Sequence, residues 1–324
     1  MDLEVYLNSV RKNWNDPNWW RRVVGQFVVE KTLVKPYFEY VSDHEGVDVM
    51  AEDWDNLIIL DACRYDMFAE LNTIQGRLES RVSRGSNTPE FLRENFEGRR
   101  FDDTVYVTAN PQIDVRLPPN TFHAVVSVWR DHWDEELNTV HPEVMAEETR
   151  KAAEAYPDKR IVAHFVQPHY PFIGPTGRDL IGKQAGMELS KRLADGADAQ
   201  QDYEHVWDML KRGAIDAETV WRAYRENLEI ALSPVETLLD DLPGTTVVTS
   251  DHGNLLGERP APCPVPMRMY GHPEGVYTEH LVKVPWLVVE GEERKRVVAE
   301  AGVESDRTAT AEETQERLQD LGYL

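Results

Sequence analysis

TTVVTSDHGNLLGE, residues 245–258, carries a run of β-branched residues straight into an acid, a histidine and a glycine. The run is continuous in Thr and Val where a half-exposed strand would alternate with polar residues, so it reads as a strand covered on both faces. Five further runs share that texture: NLIILDA (56–62), TVYVTA (104–109), AVVSVW (124–129), RIVAHFVQ (160–167) and VPWLVVE (284–290). Helical stretches separate them, notably PEFLRENF from Pro89, PEVMAEETRKAAEAY (142–156) and an amphipathic stretch from about residue 202 to 241. Pro142 suits a first helical turn, where its missing N–H costs nothing. Buried strands alternating with helices predict an α/β fold: a layered α/β/α sheet, mostly parallel, with helices on both faces.

The 324 residues are enough for one large domain with a deep core. The 58 acidic residues outnumber the 35 basic ones, giving a net charge of −23 that argues against nucleic acid as a partner. Such a surface keeps a protein hydrated in concentrated salt, where the Debye length falls to roughly 3 Å and self-repulsion is screened. A salt-rich cytoplasm, as in a halophile, is the expected setting. Cys63 and Cys263 are too few for a disulfide framework, which fits a reducing compartment. Neither a signal peptide nor an apolar run long enough to span a membrane is expected.

Residues 1–46 differ in texture and are expected to form an N-terminal helical extension, with the α/β domain over residues 47–324. Trp19, Trp20, Val23, Val24, Phe27, Val28 and Leu33 recur at helical spacing. The stripe either packs on its own domain or makes a peripheral membrane or protein contact, since Trp beside Arg suits an interface. Two loop-rich insertions, 168–186 and 258–275, follow strands and so fall where sites are usually carried or covered.

Chemistry concentrates at strand ends. Asp61 closes one buried strand and Asp251 with His252 closes another, and ligands in open α/β sheets bind at the carboxyl ends of strands. Two carboxylates and an imidazole can hold a divalent metal such as Mn, Zn or Mg, with Gly253 letting the backbone turn close by. An acid at a strand end also serves as a helix cap or turn residue. In RVSRGSNTPEFLREN (81–95), Thr88 sits where a helix begins at Pro89. Its hydroxyl can cap that helix, or act as a metal-activated nucleophile with an anion held at the helix end. His164 and His169 flank another strand end in HFVQPHYPFIGP, and His272 and His280 precede the last strand. These imidazoles could take a second metal, contact oxyanion oxygens or protonate a leaving alcohol.

In order and spacing, ILDACRYD, GSNTPEFL, HFVQPHYPF, VVTSDHGNLLGE, YGHP with VPWLVV, and the closing LQDLGYL resemble the sulfatase-like branch of the alkaline phosphatase superfamily across residues 54–324. The resemblance implies an alkaline-phosphatase-like sheet. It also implies a metal-dependent hydrolase or transferase of phosphate, phosphodiester or sulfate esters with a covalent intermediate, acting on a small-molecule or a glycan- or lipid-linked ester. Carried over residue by residue, Asp61, Asp251 and His252 would be metal ligands, and Thr88 both ligand and nucleophile. His169 and His272 would contact the transferred group or the leaving oxygen. Arg64 would neutralise an anionic oxygen, although an Arg-x-Asp pair is also a common structural ion pair.

Two departures narrow the resemblance. Cys63 stands in CRYDM without the proline and arginine context of formylglycine sulfatases, and Asp61 is followed by Ala62 rather than a second acid. The set Asp, Thr, Asp, His is closer to the single-metal arrangement of lipoteichoic acid synthases and phosphoethanolamine transferases. The missing acid also motivates an alternative, a catalytically inert member of the same fold that binds an anion or glycan.

Overall fold

In the computed structural model, which describes residues 14–15, 28–180, 206–300, 302 and 311–323, all six apolar runs form strands. The strands are β1 (Asn56–Leu60), β2 (Arg77–Val82), β3 (Phe101–Thr108), β4 (Phe122–Ser127), β5 (Arg160–Phe165), β6 (Thr246–Thr249), β7 (Leu255–Leu256), β8 (Tyr270–Gly271) and β9 (Lys283–Val289). Seven of them make one sheet in the order β2-β9-β6-β1-β5-β3-β4, and β7 pairs with β8 in a small ribbon. From β6 through β1, β5 and β3 to β4 every neighbour is parallel, while β9 runs antiparallel between β6 and β2.

Alternate side chains of the central strand feed two cores. Ile58 and Leu60 join Met67, Phe68, Leu228 and Val235 on one face, while Leu57 and Ile59 join Phe91, Phe96 and Tyr106 on the other. All five residues of β1 are buried, which is the origin of its unbroken apolar run. The first face is covered by α1 (Tyr65–Leu71), α3 (Pro142–Ala155) and α4 (Ala217–Asp241), and the second by α2 (Thr88–Phe96). Each fully buried Leu or Ile contributes about 1.5–3 kcal/mol. The layered α/β/α class is thus present, mostly parallel and covered on both faces.

The expected helix from about 202 to 241 is two helices, Val206–Arg212 and α4, and residues 202–205 lie outside the described residues. Asp216 caps α4, accepting from Thr219 N at 2.8 Å, so the chain restarts a helix there and does not run through. Of the N-terminal stripe, Trp19 to Phe27 lie outside the described residues. Val34 and Phe38, just beyond it, are buried against Leu255, Cys263, Met269, Val276 and Leu281. Among the described residues no helix is long and apolar enough to cross a membrane.

Candidate metal centre

The parallel register of β6, β1 and β5 carries Asp251 level with Asp61 at the carboxyl edge of the sheet and sets His164 opposite Ile59, two residues before Asp61. Just past β1, Ala62 adopts φ +59°, and this left-handed turn aims its N–H at Asp251 Oδ1, 3.0 Å away. Position 62 therefore supplies a backbone donor where a second acid is absent. The His252 N–H donates to the same oxygen at 2.9 Å, leaving Asp251 Oδ2 to face Thr88. The His252 ring Nδ1 lies 2.8 Å from the Gly253 carbonyl, which can only accept. Nδ1 therefore carries a proton, and Nε2 is the ring nitrogen turned to the centre. Gly253 is dictated by packing more than by any ion: a Cβ there would collide with the His280 carbonyl oxygen.

Thr88 is not the cap of α2. Asn87 holds that position and accepts from Glu90 N at 2.9 Å, so the Thr88 hydroxyl, on the first helical residue, is released to the acids. Its Oγ1 lies 2.7 Å from Asp251 Oδ2, 3.2 Å from His252 Nε2 and 3.5 Å from each oxygen of Asp61. His252 Nε2 in turn is 3.5 Å from Asp61 Oδ1 and from Asp251 Oδ2. Thr88, Asp61, Asp251 and His252 are all fully buried.

His164 completes a second face of the same centre. Its Nδ1 is 2.8 Å from the Tyr106 hydroxyl, and Nε2 sits 3.7 Å from Asp251 Oδ2 and 3.9 Å from Asp61 Oδ2. That nitrogen is buried with no hydrogen-bond partner. Burial lowers the imidazole to about 4, so it is neutral at neutral pH. Asp61, His164 and Asp251 offer ligand atoms within 4.8 Å of one another and could hold a divalent ion. Burial and the adjacent Asp251 push Asp61 well above the usual carboxylate range. Burial works to raise Asp251 as well, yet the neighbouring His252 ring and hydrogen bonds from the Ala62 N–H and the Thr88 hydroxyl hold it below that range. Two buried carboxylates, two imidazoles and a hydroxyl with an orphaned nitrogen are a donor set that fits a cation.

The remaining imidazoles divide. The ring of His169 lies 5.0 Å from that of His272, and His272 lies 4.9 Å from His252, so both border the centre. His272 Nδ1 is anchored 2.8 Å from Asn254 Oδ1. Arg64 and His280 meet each other instead, with Arg64 Nη2 3.0 Å from His280 Nδ1. The Arg64 guanidinium also bonds Asp66 and Glu258, at 2.5 and 2.6 Å, and lies over the Trp221 ring. Its donors are consumed in an ion-pair cluster in which Arg64 is buried and its partners are partly exposed, which is the structural role for an Arg-x-Asp pair.

Two residues of the centre escaped the sequence reading. Asn110, just past β3, donates from Nδ2 to Asp61 Oδ2 at 2.8 Å, and the Tyr323 hydroxyl donates to the same oxygen at 2.6 Å. Tyr323 also lies 3.2 Å from Thr88 Oγ1, and its ring stacks on His169 at 5.0 Å. Asn110 carried the same signal as Asp61, a polar residue closing a buried strand. Tyr323 belongs to the closing LQDLGYL, which gave no hint of where the chain end docks.

No family model matches the sequence, and no curated protein matches it. Solved structures do resemble the fold. Lipooligosaccharide phosphoethanolamine transferase A of Neisseria meningitidis, an integral membrane protein, aligns with 89% of this chain at 12% identity and a TM-score of 0.43. The chain spans only 58% of that protein's length. The C-terminal periplasmic domain of a Campylobacter jejuni phosphoethanolamine transferase aligns over 83% of this chain and 87% of its own, at 14% identity and a TM-score of 0.42. An alkaline phosphatase superfamily protein of Vibrio parahaemolyticus aligns over 81% and 69%, at 10% identity and a TM-score of 0.39.

Proposed function

We propose that the protein is a metal-dependent hydrolase or transferase of phosphate, phosphodiester or sulfate esters that works through a covalent intermediate on Thr88. The observation that carries this reading is the placement of the Thr88 hydroxyl, buried within 3.5 Å of Asp61, Asp251 and His252. Folding alone gives no reason to gather two acids and an imidazole around one hydroxyl away from water. Asp61, Thr88, Asp251 and His252 would hold the ion, and the mixed oxygen and nitrogen set suits Zn or Mn better than Mg. When bound, the ion lowers the pKa of the Thr88 hydroxyl and offsets the carboxylate charge.

The chain's own groups then supply the proton path. Thr88 Oγ1 passes its proton along the 2.7 Å contact to Asp251 Oδ2 and attacks the phosphorus or sulfur. The bond to the ester oxygen breaks, and that oxygen takes a proton from His169 or His272. Water or an acceptor hydroxyl next attacks the Thr88 ester, giving its proton to the imidazole, His169 or His272, that protonated the leaving oxygen, while Asp251 returns its proton to Thr88 Oγ1 as the bond to the threonine breaks. The substrate is a small-molecule, glycan-linked or lipid-linked ester rather than nucleic acid, and residues 1–46 are the proposed contact with a membrane surface or protein partner. A salt-rich cytoplasm is supported by the net charge of −23.

The test is turnover of aryl phosphomonoesters, phosphodiesters and sulfates by the full chain at molar salt with Mn, Zn or Mg, followed by acid quench and peptide mass spectrometry. A phosphoryl or sulfuryl adduct on Thr88, with turnover and adduct both lost in Thr88→Ala, is expected. Full turnover in Thr88→Ala would exclude the covalent route. Phosphate binding without turnover of any ester would favour an inert anion-binding protein.

A further inference from the structure

The two acids of the centre present themselves differently. Asp251 is oriented by two backbone N–H groups, those of Ala62 and His252, whereas Asp61 depends on side chains from distant parts of the chain. Both of its outside partners, Asn110 and Tyr323, bind the same oxygen, Oδ2. The other oxygen, Oδ1, is bound by neither and lies 3.5 Å from His252 Nε2, while Thr88 Oγ1 is 3.5 Å from both oxygens. Asn110 is fixed in turn, because its Oδ1 accepts from Gln112 N at 3.0 Å and so turns Nδ2 toward Asp61.

Tyr323 is delivered by a docked helix, α5 (Ala311–Asp320). Leu318 and Leu321 are buried, and Arg317 pairs with Glu135 at 2.5 and 2.9 Å while lying over the Trp133 ring. The helix closes in a Schellman motif: Tyr323 N donates to Leu318 O and Gly322 N to Gln319 O, both at 2.9 Å, with Gly322 at φ +78°. Only this left-handed reversal folds the chain back, so that the next side chain points at the sheet edge.

We propose that Asn110 and Tyr323 form a positioning pair that clamps one oxygen of Asp61 and so offers the other to the bound divalent ion. Docking of the C-terminal helix thereby becomes part of assembling the metal centre. The inference rests on the metal-dependent reading above. Partners of this kind hold a ligating carboxylate in a single geometry, and their loss typically costs about 10–100-fold in metal affinity.

Affinity for Mn and Zn, measured by chelator competition on the full chain, tests it without reference to turnover. Tyr323→Phe keeps the ring on His169 and removes only the hydroxyl. It is expected to weaken the ion about 10-fold or more, while its unfolding midpoint in excess chelator stays at the wild-type value. Arg317→Ala, which removes no group of the centre but loosens the helix that holds Tyr323, is expected to weaken the ion to a smaller extent. Wild-type affinity in both variants would overturn the positioning role while leaving the metal reading standing. A wild-type protein that binds neither ion would overturn both.

Discussion

Replacing Asp61 by Asn should stabilise the metal-free protein and abolish its response to metal. Asp61 and Asp251 hold oxygens within 4.8 Å of each other in a fully buried site. Without metal the pair either keeps both charges, which at that distance repel by about 3 kcal/mol at an effective dielectric constant of about 20, or takes up a proton on Asp61 at a cost to folding that grows with pH. The introduced amide would still accept from Tyr323 and Asn110 through its oxygen, and its NH2 would turn toward Asp251 Oδ2. Allowing for the weaker hydrogen bonds a neutral acceptor makes, the variant should gain roughly 1–3 kcal/mol in excess chelator. At this chain length that is about 2–6 °C in the unfolding midpoint.

The same logic fixes a pH dependence. Asp61 is raised in the folded state by burial first and by Asp251 second. Above the unfolded carboxylate pKa of about 4 the folded protein therefore binds the extra proton. Wild-type stability in chelator falls as pH rises through that window, and the Asn variant should lose that slope. The assay is thermal unfolding of both proteins in chelator and in excess Mn, across about pH 4 to 8. Saturating ion at about 100 times its Kd should add about 2.7 kcal/mol to the wild type and far less to the variant. A variant less stable than wild type in chelator, or equally stabilised by Mn, would refute the reasoning.

Arg64→Met should cost roughly 1–3 kcal/mol in urea unfolding, since Glu258 and Asp66 lose their partner but keep partial access to water. Turnover per folded molecule should fall by less than tenfold, and a loss of about 100-fold or more would return Arg64 to the substrate. With a net charge of −23, the unfolding midpoint should rise as KCl increases from about 0.1 to 2 M, because screening removes self-repulsion. A midpoint that falls over that range would argue against a salt-adapted surface.

The buried strands were legible because a strand covered on both faces has to be apolar throughout, as β1 is. Asp61, Asp251 and His252 were legible for a related reason: a polar residue that abruptly ends such a run has to face something. β2 was not, because RLESRV lies at the sheet edge with Arg77, Ser80 and Val82 exposed and resembles a polar linker. Nor was the antiparallel sense of β9, which depends on where the chain crosses and not on its own residues. Whether Thr88 capped its helix turned on one neighbour, Asn87, taking the cap. The chemistry of Arg64 turned on Glu258 and His280, some 200 positions away, which no local spacing reports. Tyr323 was out of reach for the same reason, since only the docking of α5 brings it to Asp61.

The claim on which all of this depends is that Asp61, Thr88, Asp251 and His252 surround one cation. Anomalous diffraction from crystals of the protein grown with Mn or Zn tests it most directly. One strong peak bounded by those four side chains is expected. No peak there at saturating metal, or a peak only at a distant cluster such as that of His280, would contradict it.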